Sequence, residues 1–264
     1  SKGLKAGASL EFVSPSVGYS ALADNTPLSV TSTDEIKNEP KTFYIPAAGF
    51  YYSNEKMAYG IGFWAPFGLG AKWDLLNTSI YNNKYPKIDY EDDLQVISIQ
   101  PTFAYKVSNN LSFGLGIALT LAEISIRKPG FTTPEKGEGV RVITESDLQG
   151  SGTGFSANIG FQWKPVENLA LGASMRYYGT IGMDGTLSAN TYMPAGGDVI
   201  SMVPETDIKA DLPLPMNLGV GFAYTGIKDL LITGDIALTQ WSSWDVIDFT
   251  DTQGKPVKTI MGQE

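Results

Sequence analysis

Residues 111–121 read LSFGLGIALTL, and this stretch decides the fold of the chain. Its large apolar side chains, from Leu111 to Leu121, occupy every second position, and the positions between them hold only Ser, Gly, Ala and Thr. A period of two places successive side chains on opposite faces of a β-strand. The stretch is therefore predicted to be a strand with one large apolar face and one face of small or polar residues.

The same alternation recurs along the chain and predicts nine strands in all. It is also clear in residues 154–163, 168–178 and 215–225, and it is weaker in residues 4–20, 42–53, 56–73, 95–107 and 230–249. The connections between the predicted strands alternate between short turns and long polar links. The short turns are near 53–56, 108–110, 166–168 and 227–229, and the long links are near 21–41, 74–93, 129–150 and 188–213. Transmembrane β-barrels have short turns on one side and long loops on the other. The predicted fold class is an all-β, antiparallel transmembrane β-barrel.

A soluble β-sandwich is the alternative, because its strands alternate too. In a sandwich the face opposite the core carries charges, but here that face is mostly Gly, Ser, Ala, Thr and Asn. Aromatic side chains also stand just before four short turns, as in the interfacial girdle of a barrel. They are Tyr51 or Tyr52, Tyr105, Trp163 and Tyr224, and an opposite girdle is predicted from Tyr44, Trp73, Trp241 and Trp244. Both observations favour the membrane barrel.

Composition excludes several classes of function. The chain has 264 residues and contains neither Cys nor His, so a Ser–His nucleophile or a thiolate metal site cannot be built from it. Its net charge of −9 argues against a nucleic-acid partner. No catalytic residues, metal or cofactor are therefore expected, and an outer-membrane enzyme is a weaker alternative to a transporter.

Six stretches together carry a family resemblance. They are VSPSVGYSA (13–21), FWAPFGLGAKW (63–73), ISIQPTFAYKVSNNLSFGLGIAL (97–119), GTGFSANIGFQWKPVENLALGASMRYYG (152–179), LPLPMNLGVGFAY (212–224) and DIALTQWSSWD (235–245). In this order the chain resembles the FadL/TodX family of outer-membrane transporters for long-chain fatty acids and hydrocarbons. The resemblance implies a fourteen-stranded barrel with an N-terminal hatch, of which residues 1–264 are a partial barrel domain holding strands 1 to 9. The hatch is then expected before residue 1 and about five strands after Glu264.

The resemblance also implies location, partners and transport. The protein is expected in the outer membrane of a Gram-negative cell, as a monomer in contact with membrane lipid or lipopolysaccharide. Its partner is expected to be a hydrophobic small molecule, which crosses by passive diffusion and exits sideways at strand 3. A general porin for small polar solutes is the alternative function.

Strand 3 contains the stretch WAPFGLGAKW, residues 64–73, which interrupts its own alternation. Pro66 cannot donate to a sheet ladder, and Gly68 and Gly70 permit unusual backbone angles. In the family this strand kinks inward and opens the barrel wall. The resemblance thus implies a lateral opening formed by Ala65, Pro66, Phe67, Gly68 and Gly70. An ordinary β-bulge is the alternative.

Strand 5 ends in AEISIRKPG, residues 122–130, where the alternation slips between Ala122 and Ile124 and predicts a bulge near Glu123. The resemblance implies that a basic residue at this level meets a substrate carboxylate. Lys128 is the closest positional match, and the sequence does not separate it from Arg127. The alternative is a basic pair that anchors the strand in lipid headgroups.

Two further sets of residues complete the predicted sites. The links 129–150 and 188–213 are expected to form an outer apolar groove for initial capture, or else to pack on each other without a ligand. The groove residues are Phe131, Val140, Tyr192, Met193, Ile200, Met202 and Val203. Charged and large side chains on the small-residue face are predicted to line the lumen, where they pair with one another or the hatch, or form a wet structural lining. They are Glu11, Trp64, Arg176 and Asp235.

Overall fold

The computed structural model describes residues 2–19, 35–73, 90–132, 142–192, 199–243 and 247–257. These residues form fourteen β-strands and one short 3₁₀ turn, Trp241–Ser243. The strands are β1 (Gly3–Val13), β2 (Gly18–Tyr19), β3 (Ile36–Lys37), β4 (Phe43–Ser53), β5 (Met57–Trp73), β6 (Tyr90–Lys106), β7 (Leu111–Thr132), β8 (Val142–Val166), β9 (Leu169–Tyr178), β10 (Ile181–Tyr192), β11 (Val199–Leu212), β12 (Asn217–Ile227), β13 (Leu230–Thr239) and β14 (Phe249–Asp251). Within the described ranges, no helix has the length and apolar character needed to cross a membrane.

Twelve of these strands form one antiparallel sheet, and β2 and β3 pair separately. The order runs β1-β4-β5-β6-β7-β8, after which the sheet divides along β8. One half of β8 pairs with β9, which pairs in turn with β12 and β13. The other half pairs with β10, which pairs with β11, and β11 pairs with β14. The antiparallel all-β fold predicted from the sequence is confirmed.

The two branches are continuations of the same strand lines. Arg176 of β9 opposes Asn217 of β12, and Ile181 of β10 opposes Leu212 of β11, so the register between these two strand lines is the same on both sides of the break. The register against β8 shifts by one residue there. The sheet therefore contains nine strand lines, as predicted, and the last three are interrupted. The breaks lie at residues 179–180, 213–216 and 240–248.

The predicted long links are shorter than the sequence suggested. Residues 181–192 and 199–212 form a paired hairpin, so the predicted link 188–213 is wrong over most of its length. Strands β6, β7 and β8 likewise extend into the links near 74–93 and 129–150. The short turns at 54–56, 107–110, 167–168 and 228–229 lie at one end of the sheet, here called the turn end, and the opposite end is called the loop end.

The sheet has an apolar outer face and a concave inner face. Along β7, Ile117 is 57% exposed, whereas Ala118 is fully buried and Thr120 is 1% exposed. Concavity follows from contacts across the inner face: the rings of Phe67 on β5 and Tyr178 on β9 are 5.2 Å apart, although three strands separate β5 from β9. Exposed apolar residues thus cover the convex side, as lipid contact requires.

The polarity of the two faces inverts toward the loop end. Beyond Leu121, the outer face of β7 carries Glu123 and Ser125, while Ile124 on the inner face packs against a buried apolar cluster. The register of β7 with both neighbours continues without a shift through this region. The predicted bulge near Glu123 is therefore wrong, because the alternation persists and only the surroundings of the two faces change.

Aromatic side chains form a band on the outer face near the turn end. Tyr52 and Tyr59 have ring centroids 5.5 Å apart, and those of Tyr105 and Phe113 are 6.1 Å apart. At the loop end, Tyr44 is exposed on the outer face, but Trp73 opposes Tyr90 on the inner face, with its indole nitrogen buried. Trp73 is thus not a girdle residue. Trp241 contacts Phe67, and Trp244 lies outside the described residues.

Candidate functional site: an opening in the sheet beside strand β5

Strand β5 carries a defect at the position that the sequence singled out. Trp64 opposes Ser98 of β6 and Phe67 opposes Val96, so Ala65 and Pro66 together occupy the space of one residue. This is the two-against-one pattern of a β-bulge, and it bends the strand locally. Pro66 has no amide hydrogen, and at the bulge its backbone has no hydrogen-bond partner on β6 to lose.

On its other side, β5 separates from β4 at the same place. Pairing between β4 and β5 runs from Ser53 opposite Ala58 to Ala47 opposite Trp64, and in the described part of the chain it goes no further. The next residues of β4, Phe43–Pro46, pair with β1 alone. The sheet is therefore unpaired between Phe43–Pro46 and the second half of β5, and this gap is called the β4–β5 opening.

The loop end of the β4–β5 opening is closed by the segment that leads into β4. The amide of Glu39 donates to the carbonyl of Lys72 at 2.7 Å, and the side chains of these residues form an ion pair at 3.5 Å. Lys41 forms ion pairs with Asp93 and, at 3.9 Å, with Glu91 on β6. The opening is thus bounded by these contacts at one end and by the Ala47–Trp64 pair at the other.

The second half of β5 is displaced toward the inner face. Gly70 opposes Asp93, which lies on the outer face of β6, whereas Phe43 lies on the inner face of β4. Despite these opposite orientations the two are in contact, since a β-carbon added to Gly70 would lie 2.7 Å from Cε1 of Phe43. The outer face of the second half of β5 therefore lies against the inner face of β4. This arrangement requires β5 to bend inward at Ala65 and Pro66.

An apolar cluster fills the inner face next to the opening. Phe67 joins the two, because it belongs to the displaced part of β5 and its ring contacts Tyr178 and, at 6.2 Å, Trp241. The buried members are Leu94, Val96, Ala122, Tyr178, Ile181, Met183, Leu212 and Leu214. A second cluster of Leu148, Leu187 and Ile208 continues it toward the loop end. An apolar surface thus runs along the inner face to the opening.

Polar side chains cross the inner face on the turn-end side of the cluster. The guanidinium carbon of Arg176 lies 4.7 Å from the ring centroid of Trp64, which is a cation–π contact across the concave face. Gln100 and Asn158 meet over Gly116, where a β-carbon would lie 2.8 Å from Cδ of Gln100. The predicted lumen residues Glu11 and Asp235 oppose Ile45 and Gly221, which places them on this face as well.

Lys128 and Arg127 lie on opposite faces. Arg127 is on the outer face, where it donates to Oδ2 of Asp147 from both Nε (3.2 Å) and Nη2 (2.8 Å), and this hydrogen bonding raises the pKa of its guanidinium. Lys128 is on the inner face, with Nζ 3.7 Å from Oδ1 of Asp92 and 5.6 Å from the ring centroid of Tyr90. Only Lys128 is thus positioned toward the interior.

The predicted groove residues that the structure describes lie on strands β7, β10 and β11 at the loop end. Tyr192 is buried and donates to Oε2 of Glu145 at 3.1 Å, and burial raises the pKa of its hydroxyl. Asn190 opposes Met202, which is 64% exposed, and Ala189 opposes Val203, so Met202 and Val203 are on different faces. Val140 and Met193 lie outside the described residues, and for Phe131 and Ile200 only the backbone is described.

Sequence reasoning missed several residues that the fold brings to the opening. Phe43 gave no signal, because an inward Phe at the start of a strand is ordinary until its contact with Gly70 is known. Lys41 and Glu39 fall in a predicted polar link, and nothing in that link indicates pairing with β5 and β6. The buried cluster residues of β11 were missed because they fall in the predicted link 188–213. Those of β10 were missed because residues 181–187 were assigned to no predicted strand.

The fold is that of an outer-membrane β-barrel protein. Residues 2–264 match the family of outer membrane protein transport proteins, OMPP1/FadL/TodX, and the chain belongs to this family. Its place is the outer membrane of a Gram-negative cell. No curated protein sequence matches the chain closely enough to add to this.

Solved structures with the same fold share little sequence with the chain. The Pseudomonas putida toluene transporter TodX is 16% identical, with a TM-score of 0.65 over 95% of this chain and 64% of that chain. A Pseudomonas aeruginosa FadL homologue is 14% identical, with a TM-score of 0.64 over 96% and 63%. The Ralstonia pickettii toluene transporter TbuX is 15% identical, with a TM-score of 0.61 over 94% and 64%. The chain thus spans under two thirds of the length of these relatives.

Proposed function

We propose that this protein carries hydrophobic compounds, either long-chain fatty acids or hydrocarbons, across the outer membrane by passive diffusion and releases them sideways through the β4–β5 opening. The observation that carries the proposal is the position of Phe67, which belongs both to the displaced part of β5 and to the apolar cluster. An apolar molecule that follows the cluster reaches the gap without crossing the polar residues around Arg176.

Sideways release suits the chemistry of such a ligand. Transfer of apolar surface from the cluster into lipid keeps it out of water, which avoids a cost of about 25 cal/mol per Å². A molecule that continued through the inner face instead would pass Arg176, Gln100 and Asn158, where buried polar atoms lack hydrogen-bond partners in the described structure. The opening is the apolar alternative to that route.

The test compares uptake of labelled oleate and of a labelled small sugar by cells without another hydrophobe transporter. The substitutions are Pro66→Ala with Gly68→Val, which remove the fixed proline backbone from the bulge and add a branched side chain at an exposed position beside the gap. Oleate uptake should fall at equal surface expression. Gly130→Val is the matched control, because Gly68 and Gly130 each have one backbone oxygen, at 3.8 and 3.7 Å, near an added β-carbon.

The sugar distinguishes the alternative function. Entry of oleate without sugar supports the proposal, and entry of sugar without oleate indicates a general porin. Oleate uptake that is unchanged by the double substitution excludes exit at β5.

A further inference from the structure

Phe43 lies across the loop-end part of the β4–β5 opening. Its ring contacts Gly70, which is buried and has no side chain of its own to fill that space. Any residue larger than Gly at position 70 would overlap the ring. The pair is thus complementary, with an aromatic side chain from β4 resting on bare backbone of β5.

The ring of Phe43 also has a cation beside it. Nζ of Lys41 lies 5.2 Å from the ring centroid, within the range of a cation–π contact. Lys41 is itself fixed by its ion pairs with Asp93 and Glu91 of β6. Phe43 is therefore tied to two strands on the far side of the opening, although its backbone pairs with β1 alone.

Beside Gly68 the opening has free space. Gly68 is exposed, and a β-carbon added there would have one neighbour, the carbonyl oxygen of Leu94 at 3.8 Å. Two residues along a strand, from Gly68 to Gly70, cover about 7 Å. The ring of Phe43 thus obstructs the opening at Gly70, about two residues toward the loop end from the space beside Gly68.

We infer that Phe43 determines the size of the molecules that leave through the β4–β5 opening, and that Lys41 holds it in place. The inference rests on the proposed lateral exit and adds a selecting residue to it. A flexible linear chain can pass beside Gly68 lengthwise, whereas a rigid fused-ring hydrocarbon needs the space that the Phe43 ring occupies.

The experiment measures uptake of labelled hexadecane and labelled pyrene by the same cells. Phe43→Ala should raise the pyrene-to-hexadecane ratio by about tenfold or more, since even one methylene in an apolar pocket alters discrimination by about tenfold or more. Phe50→Ala, on the exposed outer face of the part of β4 that stays paired with β5, should leave the ratio unchanged. Phe43→Leu, which keeps an apolar side chain, should give a smaller rise and serves if the alanine variant does not reach the membrane.

Lys41→Met tests the hold on the ring. It should shift the ratio in the same direction as Phe43→Ala but less, whereas Lys2→Met, which removes the exposed ion pair with Glu55 at the turn end, should have no effect. A ratio that is unchanged in both Phe43 variants, while Gly68→Val still blocks uptake, overturns the role of Phe43. Uptake that is unaffected by Gly68→Val overturns the lateral exit itself.

Discussion

At the scale of single residues, Arg127 and Lys128 illustrate how neighbours can have different roles. Because side chains alternate along β7, Arg127 lies on the outer face, where it donates hydrogen bonds to Asp147. Lys128 lies on the inner face beside Asp92 and Tyr90. A cation that is engaged by a carboxylate through two hydrogen bonds is a poor partner for a second carboxylate. Lys128 is therefore the better candidate for binding a fatty-acid headgroup.

Lys128→Ala should weaken binding of a fatty acid more than binding of an alkane of equal length. For a partly exposed charge pair the difference is about 1 kcal/mol, or about fivefold in affinity. Competition binding to purified protein in detergent measures both ligands. Arg127→Ala is the control and should leave the ratio of affinities as it was; equal weakening of both ligands by Lys128→Ala would falsify the headgroup role.

Glycine at position 60 is required by close backbone contact. A β-carbon there would lie 2.6 Å from Cβ of Tyr51 and 2.8 Å from its Cα, and backbone cannot move aside as a flexible side chain can. Gly60→Ala should lower the free energy of unfolding by about 1–3 kcal/mol, the usual cost of overpacking. Urea unfolding followed by tryptophan fluorescence measures it.

Gly114→Ala is the matched control for that substitution. Its nearest neighbours to an added β-carbon are at 3.7 and 3.8 Å, which is ordinary contact. The variant should unfold at the same urea concentration as the unsubstituted protein, and similar destabilisation by both changes would show that position 60 is not special.

At the scale of elements, β7 serves two environments without a change in register. Its 22 residues exceed the roughly 9–11 needed to cross a bilayer. The apolar outer face from Leu111 to Leu121 is about the required length, and the polar outer face beyond it belongs outside the hydrocarbon. The membrane boundary on this strand therefore lies between Leu121 and Glu123.

The absence of native Cys allows this boundary to be located directly. Glu123→Cys and Ser125→Cys should react with a membrane-impermeant maleimide on intact cells, whereas Ile117→Cys and Leu119→Cys, on the same face, should not. Labelling is read from the mass shift of the protein. Equal labelling at Leu119 and Glu123 would place the boundary elsewhere.

Much of the sheet could be predicted from the sequence, because lipid on one face and small residues on the other leave a period of two in segments such as LSFGLGIALTL. The inversion of polarity beyond Leu121 was misread as a bulge. In the sequence, a strand whose two faces exchange polarity looks the same as a strand whose alternation slips by one residue. The hairpin of β10 and β11 was missed because its outer face is polar, as in a loop. At the opening, Ala65 and Pro66 could be predicted from their own chemistry, but Phe43 and Lys41 depend on contacts between strands that are distant in sequence.

At the scale of the whole molecule, the inner face is divided into an apolar part toward the loop end and a polar part toward the turn end. The apolar part contains the two clusters, and the polar part contains Arg176 with its contact to Trp64. Hydrophobic constrictions stop ions by excluding water. This division favours apolar molecules over hydrated solutes.

The protein in a planar bilayer should accordingly show no long-lived open steps in its single-channel current. Phe67 and Leu94 belong to the apolar part, and hydrated ions would have to pass them. A general porin reconstituted under the same conditions is the control. Regular open steps of comparable size would mean that the inner face is filled with water and that solutes cross it freely.

The length of the strands beyond the boundary on β7 has a consequence for how a ligand is first met. From Glu123 to Thr132, at about 3.3 Å per residue and a tilt of about 45°, the sheet rises roughly 20 Å above the hydrocarbon. An apolar molecule that diffuses in from outside is slowed by the hydrated surface layer of the membrane before it reaches the hydrocarbon. Under the proposed transport function, a sheet that stands above the bilayer with its apolar side turned inward gives that molecule a binding surface before it crosses this layer, so the height of the strands shortens its path through water.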